Sequence, residues 1–163
     1  MYKLNTHYKK ILADTITPVS IYLKIRDKYP NSILLESSDY HANDNSFSYI
    51  CSNPIASIKV ENNIIIQTFP DGNIETLEIN KTTNVANEIH HFTQRFNVDP
   101  DKQFKFINNG IFGYTAYDAV KYFEDITISK KENSLKIPDI YYAVYQNIIA
   151  INHFKNEAYI FAH

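Results

Sequence analysis

Glycine is scarce in this chain of 163 residues, which contains only three, and tryptophan is absent. An average protein contains about 7% glycine, so this chain has few residues that could form a glycine-rich loop. Two of the three glycines, Gly110 and Gly113, lie within one four-residue stretch. Their spacing matches neither a dinucleotide-binding loop nor a phosphate-binding loop. Glycine inside a strand instead indicates a bulge or the close approach of another backbone.

Cysteine is equally rare, because Cys51 is the only one. A single cysteine excludes an internal disulfide, which fits a reducing compartment. Cys51 ends an apolar stretch and has no basic neighbour, so we expect a buried packing residue rather than a nucleophile. Among six histidines only His90 and His91 are close in sequence, and adjacent helix residues point about 100° apart. The sequence therefore predicts no metal site.

Neither sign of charge dominates, since 18 acids and 16 bases give a net charge of −2. A nucleic-acid groove requires a basic patch, whereas this chain offers only isolated lysine pairs. The longest apolar runs are of strand length and far short of a membrane span. The first twelve residues contain lysines but no apolar stretch behind them, so they do not form a secretory signal. We expect a cytoplasmic protein that binds neither nucleic acid nor membrane.

Two amphipathic helices are predicted. The first begins after Thr17, a favourable N-cap residue, with Pro18 at the first helical position and apolar residues at i,i+4 spacing. We expect it to end at Pro30. The second begins at about Asn84 and carries one apolar stripe, formed by Val85, Ile89, Phe92 and Phe96.

Most of the remaining chain is typical of strands, with a short helix over residues 118–123. Strands are predicted over residues 32–36, 47–51, 55–60, 64–69, 74–79, 104–114, 140–152 and 158–162. We predict an α+β fold in one domain spanning residues 1–163, in which mostly antiparallel strands form part of a sandwich packed by the helices. The last strand has no successor, so we expect an unpaired edge, which is typical of a piece of a longer polypeptide.

Polar residues follow the first predicted buried strand directly. Glu36 and Ser37 come after two leucines, and ligand sites often lie where core strands end. A carboxylate there can pair with an ammonium or accept an indole N–H, while a hydroxyl both donates and accepts. On these residues alone, an ordinary serine-rich turn is the more frequent explanation.

Five segments occur in an order that carries a family resemblance. They are residues 17–20, 34–37 (Leu-Leu-Glu-Ser), 46–50, 110–124 and 137–139. Together they resemble the amino-terminal region of anthranilate synthase component I, a chorismate-utilising family. The similarity extends over nearly the whole chain, and the 110–124 block is its most specific part.

Three positions depart from the family pattern. Asn109 and Cys51 stand where the family commonly has glycine, and Lys121 stands where it commonly has arginine. Because lysine cannot reproduce a bidentate arginine contact, one ion pair at Lys121 is expected to differ.

The resemblance implies a role within a larger enzyme. The full component converts chorismate and ammonia to anthranilate and pyruvate with Mg²⁺, and the ammonia comes from a glutamine amidotransferase subunit (component II). The catalytic residues, chorismate and Mg²⁺ would belong to a carboxy-terminal catalytic domain outside this chain. The resemblance therefore implies no catalytic residue and no cofactor here, and we predict that this lyase fragment is inactive alone.

The resemblance also implies an allosteric feedback site for L-tryptophan. Glu36 and Ser37 would form its core, Leu35 part of its wall, and Pro18 a neighbouring contact. Two alternatives remain open. One is the corresponding region of aminodeoxychorismate synthase component I, which belongs to p-aminobenzoate synthesis. The other is a free-standing module that binds a small ligand or a protein.

Overall fold

The computed structural model describes residues 1–36, 46–98, 103–126, 128 and 137–163. Antiparallel strands predominate and helices are few, which confirms the α+β prediction. In the described residues the strands are β1 (Tyr2–Leu4), β2 (His7–Leu12), β3 (Ile33–Glu36), β4 (Phe47–Glu61), β5 (Ile64–Thr68), β6 (Ile74–Glu78), β7 (Phe96–Val98), β8 (Phe112–Thr115), β9 (Ile140–Asn152) and β10 (Glu157–Ala162). The helices are α1 (Pro18–Ile25), α2 (Val85–Gln94) and a 3-10 helix (Tyr117–Tyr122).

The chain divides into two compact units, and the long strands β4 and β9 contribute residues to both. The first unit comprises Met1–Tyr2, Ala56–Asn97 and Ile111–Ala143. The second comprises Lys3–Ile55, Val98–Gly110 and Val144–His163. The residues predicted to bind a ligand belong to the second unit.

The strands of the second unit pair in the order β2-β10-β9-β4, and β3 also pairs with β4. Strand β10 therefore has two antiparallel partners: Tyr159 lies opposite Lys10 on one side and Ala150 on the other. The prediction that the last strand forms an unpaired edge is wrong. Strand β2, which the sequence pattern did not reveal, lies at the end of this strand order instead. Its exposed lysines are typical of edge strands.

Helix α1 begins as predicted. The Thr17 hydroxyl accepts a hydrogen bond from the Ser20 N–H at 3.1 Å, and the Ser20 hydroxyl accepts one from the Thr17 N–H at 3.2 Å. This reciprocal capping satisfies two N–H groups that the helix itself leaves unpaired. The helix ends at Ile25, earlier than predicted, because the Lys28 and Tyr29 N–H groups both donate to the Ile25 carbonyl and turn the chain.

Helix α1 packs against β3 over an apolar core in the second unit. Ile50 and Ile151 are almost completely buried there, and Leu34 packs against them. Ile21, Tyr22 and Ile25 cover this core from the helix. We call this side of the sheet the helix face.

In the first unit, β4, β5 and β6 form the predicted meander. Asn62 and Asn63 connect β4 to β5, and both have positive φ angles, of 53° and 61°. A two-residue loop of this kind matches the twist of the strands that it joins. The prediction of two separate strands before this loop is wrong, because β4 continues from Phe47 to Glu61.

Helix α2 begins after Asn84, whose side chain accepts a hydrogen bond from the Asn87 N–H at 2.9 Å. It ends at Gln94, so Phe96 lies in β7 rather than on the predicted helical stripe. Strand β7 pairs with β1, which the sequence did not predict.

The segment 104–114 is only partly a strand, since β8 begins at Phe112. Gly113 confirms the expected close approach, because a Cβ atom built on it would lie 1.9 Å from the Tyr141 carbonyl oxygen on β9. The following short helix is present as the 3-10 helix Tyr117–Tyr122.

Candidate functional site

The predicted ligand residues lie where β3 ends. Strand β3 pairs with β4 so that Leu35 is opposite Tyr49 and Glu36 is opposite Ser48. Successive side chains of a strand point to opposite faces. Because Leu34 packs into the core of the helix face, Glu36 lies on that face as well and Leu35 lies on the other.

The opposite side of the sheet is rich in aromatic rings, and we call it the aromatic face. The Phe47 and Phe106 rings stack at 4.6 Å between centroids. The Phe106 ring is 5.0 Å from that of Tyr159 and 6.2 Å from that of Phe161. Leu35, with 36% of its surface exposed, lies on this face.

The four predicted site residues are therefore distributed over both faces. Glu36 is exposed at the end of β3 on the helix face, and Pro18 is buried at the start of α1, which packs on that same face. Leu35 lies behind them, on the aromatic face. Ser37 lies outside the described residues. A ligand that touched both Glu36 and Leu35 would have to sit at the end of the strand, where both faces are within reach.

Sequence reasoning missed a serine that lies beside Glu36 and a histidine that contacts this serine. Ser48, directly opposite Glu36 in register, is 1% exposed. Its Oγ is 2.7 Å from Nε2 of the His153 ring. The backbone N–H of His153 donates a hydrogen bond to the Ser46 carbonyl at 3.1 Å. The sequence contained one signal for Ser48, because a polar residue at a core-facing position of an apolar strand is unusual. His153 gave no signal because it lies 105 residues further along the chain.

Glu36, Ser48 and His153 together offer a carboxylate, a hydroxyl and an imidazole on one face. The Glu36 carboxylate is exposed, and a carboxylate can pair with an ammonium group. The burial of Ser48 argues against a role as a nucleophile, which must be open to its substrate. On this face the exposed Glu36 and His153 are therefore the groups that a ligand can reach.

Cys51 is fully buried, as predicted. Burial raises the pKa of its thiol to about 12, because an apolar surrounding disfavours the thiolate. The thiolate is the reactive form of cysteine. The Cys51 side chain is therefore an inert packing group.

We expect Cys51 to react with a thiol reagent at least about a hundredfold more slowly in the folded chain than in urea, because the folded state both shields it and suppresses its thiolate. The measurement is the rate of labelling by a disulfide reagent at pH 8, with the urea-unfolded chain as the control. Equal rates in the two states would show that the thiol is accessible.

Lys121, in the block most specific to the resemblance, makes a salt bridge with Asp139. Its Nζ is 2.8 Å from Oδ2 of Asp139, which also accepts a hydrogen bond from the Tyr122 hydroxyl at 2.7 Å. Burial, followed by this hydrogen bond, raises the pKa of Tyr122. The Asp139 carbonyl also accepts from the Ala116 N–H at 2.8 Å. This block is structural, since it ties the 3-10 helix to the residue before β9.

The described part of the chain has neither a cluster of metal ligands nor a membrane-spanning helix. No group of three His, Cys, Asp or Glu side chains there could hold a metal ion. No helix within the described ranges is both long and apolar enough to cross a membrane.

Sequence comparison finds relatives over almost the whole chain, although no family model matches it. Anthranilate synthase component 1 of Lactococcus lactis subsp. lactis (strain IL1403) is 30% identical over 157 residues, which cover 94% of this chain and 31% of that protein. Its counterpart in Thermus thermophilus is 28% identical over 162 residues, which cover 99% of this chain and 33% of that protein. This chain is homologous to anthranilate synthase component I. It spans about a third of the length of these component I relatives.

A solved component I structure shows the same fold. The crystal structure of anthranilate synthase component I from Streptococcus pneumoniae TIGR4 matches with a TM-score of 0.51 and 21% sequence identity. The match covers 92% of this chain and 30% of that chain. The resemblance drawn from the five sequence segments is thereby confirmed.

Proposed function

We propose that this chain is the amino-terminal, feedback-regulatory part of an anthranilate synthase component I. In this proposal the complete polypeptide converts chorismate and ammonia to anthranilate and pyruvate, and L-tryptophan binding to this region opposes that reaction. The homology to component I over 94% of the chain is the observation that carries the proposal. In this proposal the protein acts in tryptophan biosynthesis in the cytoplasm.

The polar groups at the end of β3 support a site for an amino acid. The Glu36 carboxylate is suited to the ammonium group of L-tryptophan, because charge-assisted hydrogen bonds are the stronger ones. The exposed His153, whose ring is hydrogen-bonded to Ser48, offers a further polar partner on the same face. Ser37 remains a predicted member of the core of this site. Leu35 and Pro18 remain predicted apolar contacts.

Regulation then follows from linkage between two binding events. If tryptophan binds one state of the enzyme more tightly than the substrate-competent state, it must oppose substrate binding by the same coupling free energy. Such couplings are typically about 1–3 kcal/mol, which corresponds to roughly a 5- to 150-fold change in affinity.

The partners of this region follow from the same proposal. Chorismate and Mg²⁺ would bind to the catalytic domain of the complete polypeptide, and the described residues of this chain offer no ligand set for the metal. Ammonia would come from a glutamine amidotransferase subunit, component II. The regulatory region would therefore act through its own catalytic domain and carry out no step of the reaction.

Substitution of the core residues tests the proposal. In the complete polypeptide we expect Glu36→Gln and Ser37→Phe each to raise the tryptophan concentration for half-inhibition by about tenfold or more. Glutamine loses a charged hydrogen bond, which costs about 1.5–3 kcal/mol, and phenylalanine adds bulk at a position proposed to hold the ligand. Turnover without tryptophan should stay within about twofold, because neither residue contacts the reacting atoms. Anthranilate fluorescence measures both quantities.

Glu78→Gln is the matched control, since it neutralises another exposed carboxylate at the end of a strand, β6. It should leave tryptophan inhibition unchanged. Unchanged inhibition in both site variants would overturn the feedback proposal. The same assay separates the p-aminobenzoate alternative, because chromatography of the product distinguishes p-aminobenzoate from anthranilate.

A further inference from the structure

We propose that the aromatic face carries a second ligand site, which binds a small aromatic carboxylate. A cavity of about 690 Å³ lies there within the second unit, between the covering segment 103–106 and strands β2 and β10. Ligand pockets commonly measure about 300–1,000 Å³. The proposal does not depend on the tryptophan site, because none of the cavity's lining residues is Pro18, Leu35, Glu36 or Ser37.

Aromatic rings form a continuous wall of this cavity. Phe104 and Phe106 lie 5.3 Å apart between ring centroids, and Tyr159 lies 5.7 and 5.0 Å from them. The edge-to-face and tilted contacts among these rings are the arrangements that aromatic pairs prefer. The wall is therefore built before a ligand arrives, and it offers ring faces and edges to a planar molecule.

Three lysines line the same cavity. They are Lys10, Lys105 and Lys155, and no carboxylate is among the lining residues in the described part of the chain. The Lys10 ammonium group is held by two contacts. Its Nζ is 2.6 Å from Oε1 of Glu157, which does not line the cavity, and 5.6 Å from the centroid of the Tyr159 ring, which does. The Glu157 carboxylate, which also accepts a hydrogen bond from the Tyr159 hydroxyl at 2.7 Å, offsets the charge of Lys10. Lys105 and Lys155 therefore supply the net positive charge that attracts an anion.

A buried amide fixes one of these lysines at the cavity. Asn152, which is 4% exposed and also lines the cavity, accepts a hydrogen bond through Oδ1 from the Lys155 N–H at 2.9 Å. This contact with the Lys155 backbone closes the turn between β9 and β10, and so fixes the position of the Lys155 backbone at the cavity. Its ammonium group is free to move toward a ligand, since Lys155 is exposed.

The combination of rings and ammonium groups selects the class of ligand. A simple inorganic anion would leave the aromatic wall unused, and an uncharged ring would leave the lysines unused. Lysine supplies point charges rather than the paired donors with which arginine grips a phosphate. A planar ring that carries a carboxylate uses both features.

The test is a titration of the ¹⁵N-labelled 163-residue chain with benzoate, followed by NMR. We expect saturable shifts at Lys10, Phe106 and Lys155 and weaker responses to acetate, which lacks the ring, and to benzyl alcohol, which lacks the charge. A response to acetate or benzyl alcohol as strong as that to benzoate would overturn the proposal. So would the absence of any shift at these residues.

Two variants provide a second arm. The double substitution of Lys105→Gln with Lys155→Gln should weaken benzoate binding by about fivefold or more. Phe106→Leu should weaken it while retaining apolar volume, and far-UV circular dichroism checks that each variant is folded. Lys28→Gln, at an exposed lysine outside the cavity, is the matched control and should bind benzoate normally. Unchanged affinity in the lysine pair variant would refute the site.

Discussion

Replacing Gly113 with alanine is expected to destabilise the chain by about 3 kcal/mol or more, one of the two largest effects that we predict. An alanine Cβ would lie 1.9 Å from the Tyr141 carbonyl oxygen and 2.8 Å from the Tyr142 Cα. Both atoms belong to the backbone of β9, so no flexible side chain can move aside. Strands β8 and β9 would have to separate and lose the pairing of Phe112–Thr115 with Ile140–Ala143.

Urea denaturation followed by circular dichroism measures this loss, and Gly72→Ala is the matched control. A Cβ at Gly72 meets no atom within 4 Å, although its φ of +82° is unfavourable for alanine. The control should therefore lose only about 1–2 kcal/mol, the usual penalty for a left-handed residue that has a Cβ. Equal losses in the two variants would show that backbone conformation, rather than the contact with β9, explains the need for glycine.

Phe92→Ala should have an effect of similar size, a loss of about 3–5 kcal/mol, because it empties a fully buried ring position on α2. Phe92 is 0% exposed. Its ring lies 5.8 Å from that of Phe69 and 5.3 Å from that of Phe96, and the Tyr2 ring stacks on both of these partners. The cavity would therefore open at the centre of an aromatic cluster in the first unit.

The same denaturation experiment measures the Phe92→Ala variant against a change on the exposed surface of the helix. Gln94→Ala removes a side chain that is not buried on α2 and should change the free energy of unfolding by at most about 0.5 kcal/mol. Phe92→Leu should lie between the two because it retains part of the buried volume. A loss below about 1 kcal/mol in Phe92→Ala would show that the helix does not depend on this cluster.

Local signals predicted the elements that local residues determine. Thr17 and Pro18 predicted the start of α1, and Asn62-Asn63 predicted the turn of the meander, because capping and turn geometry depend on neighbouring residues only. The segment 104–111 misled the same reasoning. Its apolar residues are typical of a strand, but Phe104 and Phe106 instead pack their rings against Tyr159 and Phe161 of β10.

The residues of the candidate site that the sequence could suggest are likewise those marked by their neighbours in the chain. Glu36 could be identified from its place after an apolar strand, whereas His153 could not, because only the pairing of β3, β4 and β9 brings it near. The strand period of two already places Leu35 and Glu36 on opposite faces. The sequence does not say which of the two residues shares a face with α1. The packing of Leu34 into the core beneath α1 shows that it is Glu36.

The position of β10 between β2 and β9 governs how the chain acquires its structure during synthesis. β2 is translated long before β10, its hydrogen-bonding partner, because nearly all the strands and helices lie between them in the chain. Contacts between such distant segments form slowly because a long loop must close first. The second unit therefore cannot complete its sheet until β10 has been translated. Until then, the apolar residues of β9 depend on the growing polypeptide remaining protected from aggregation.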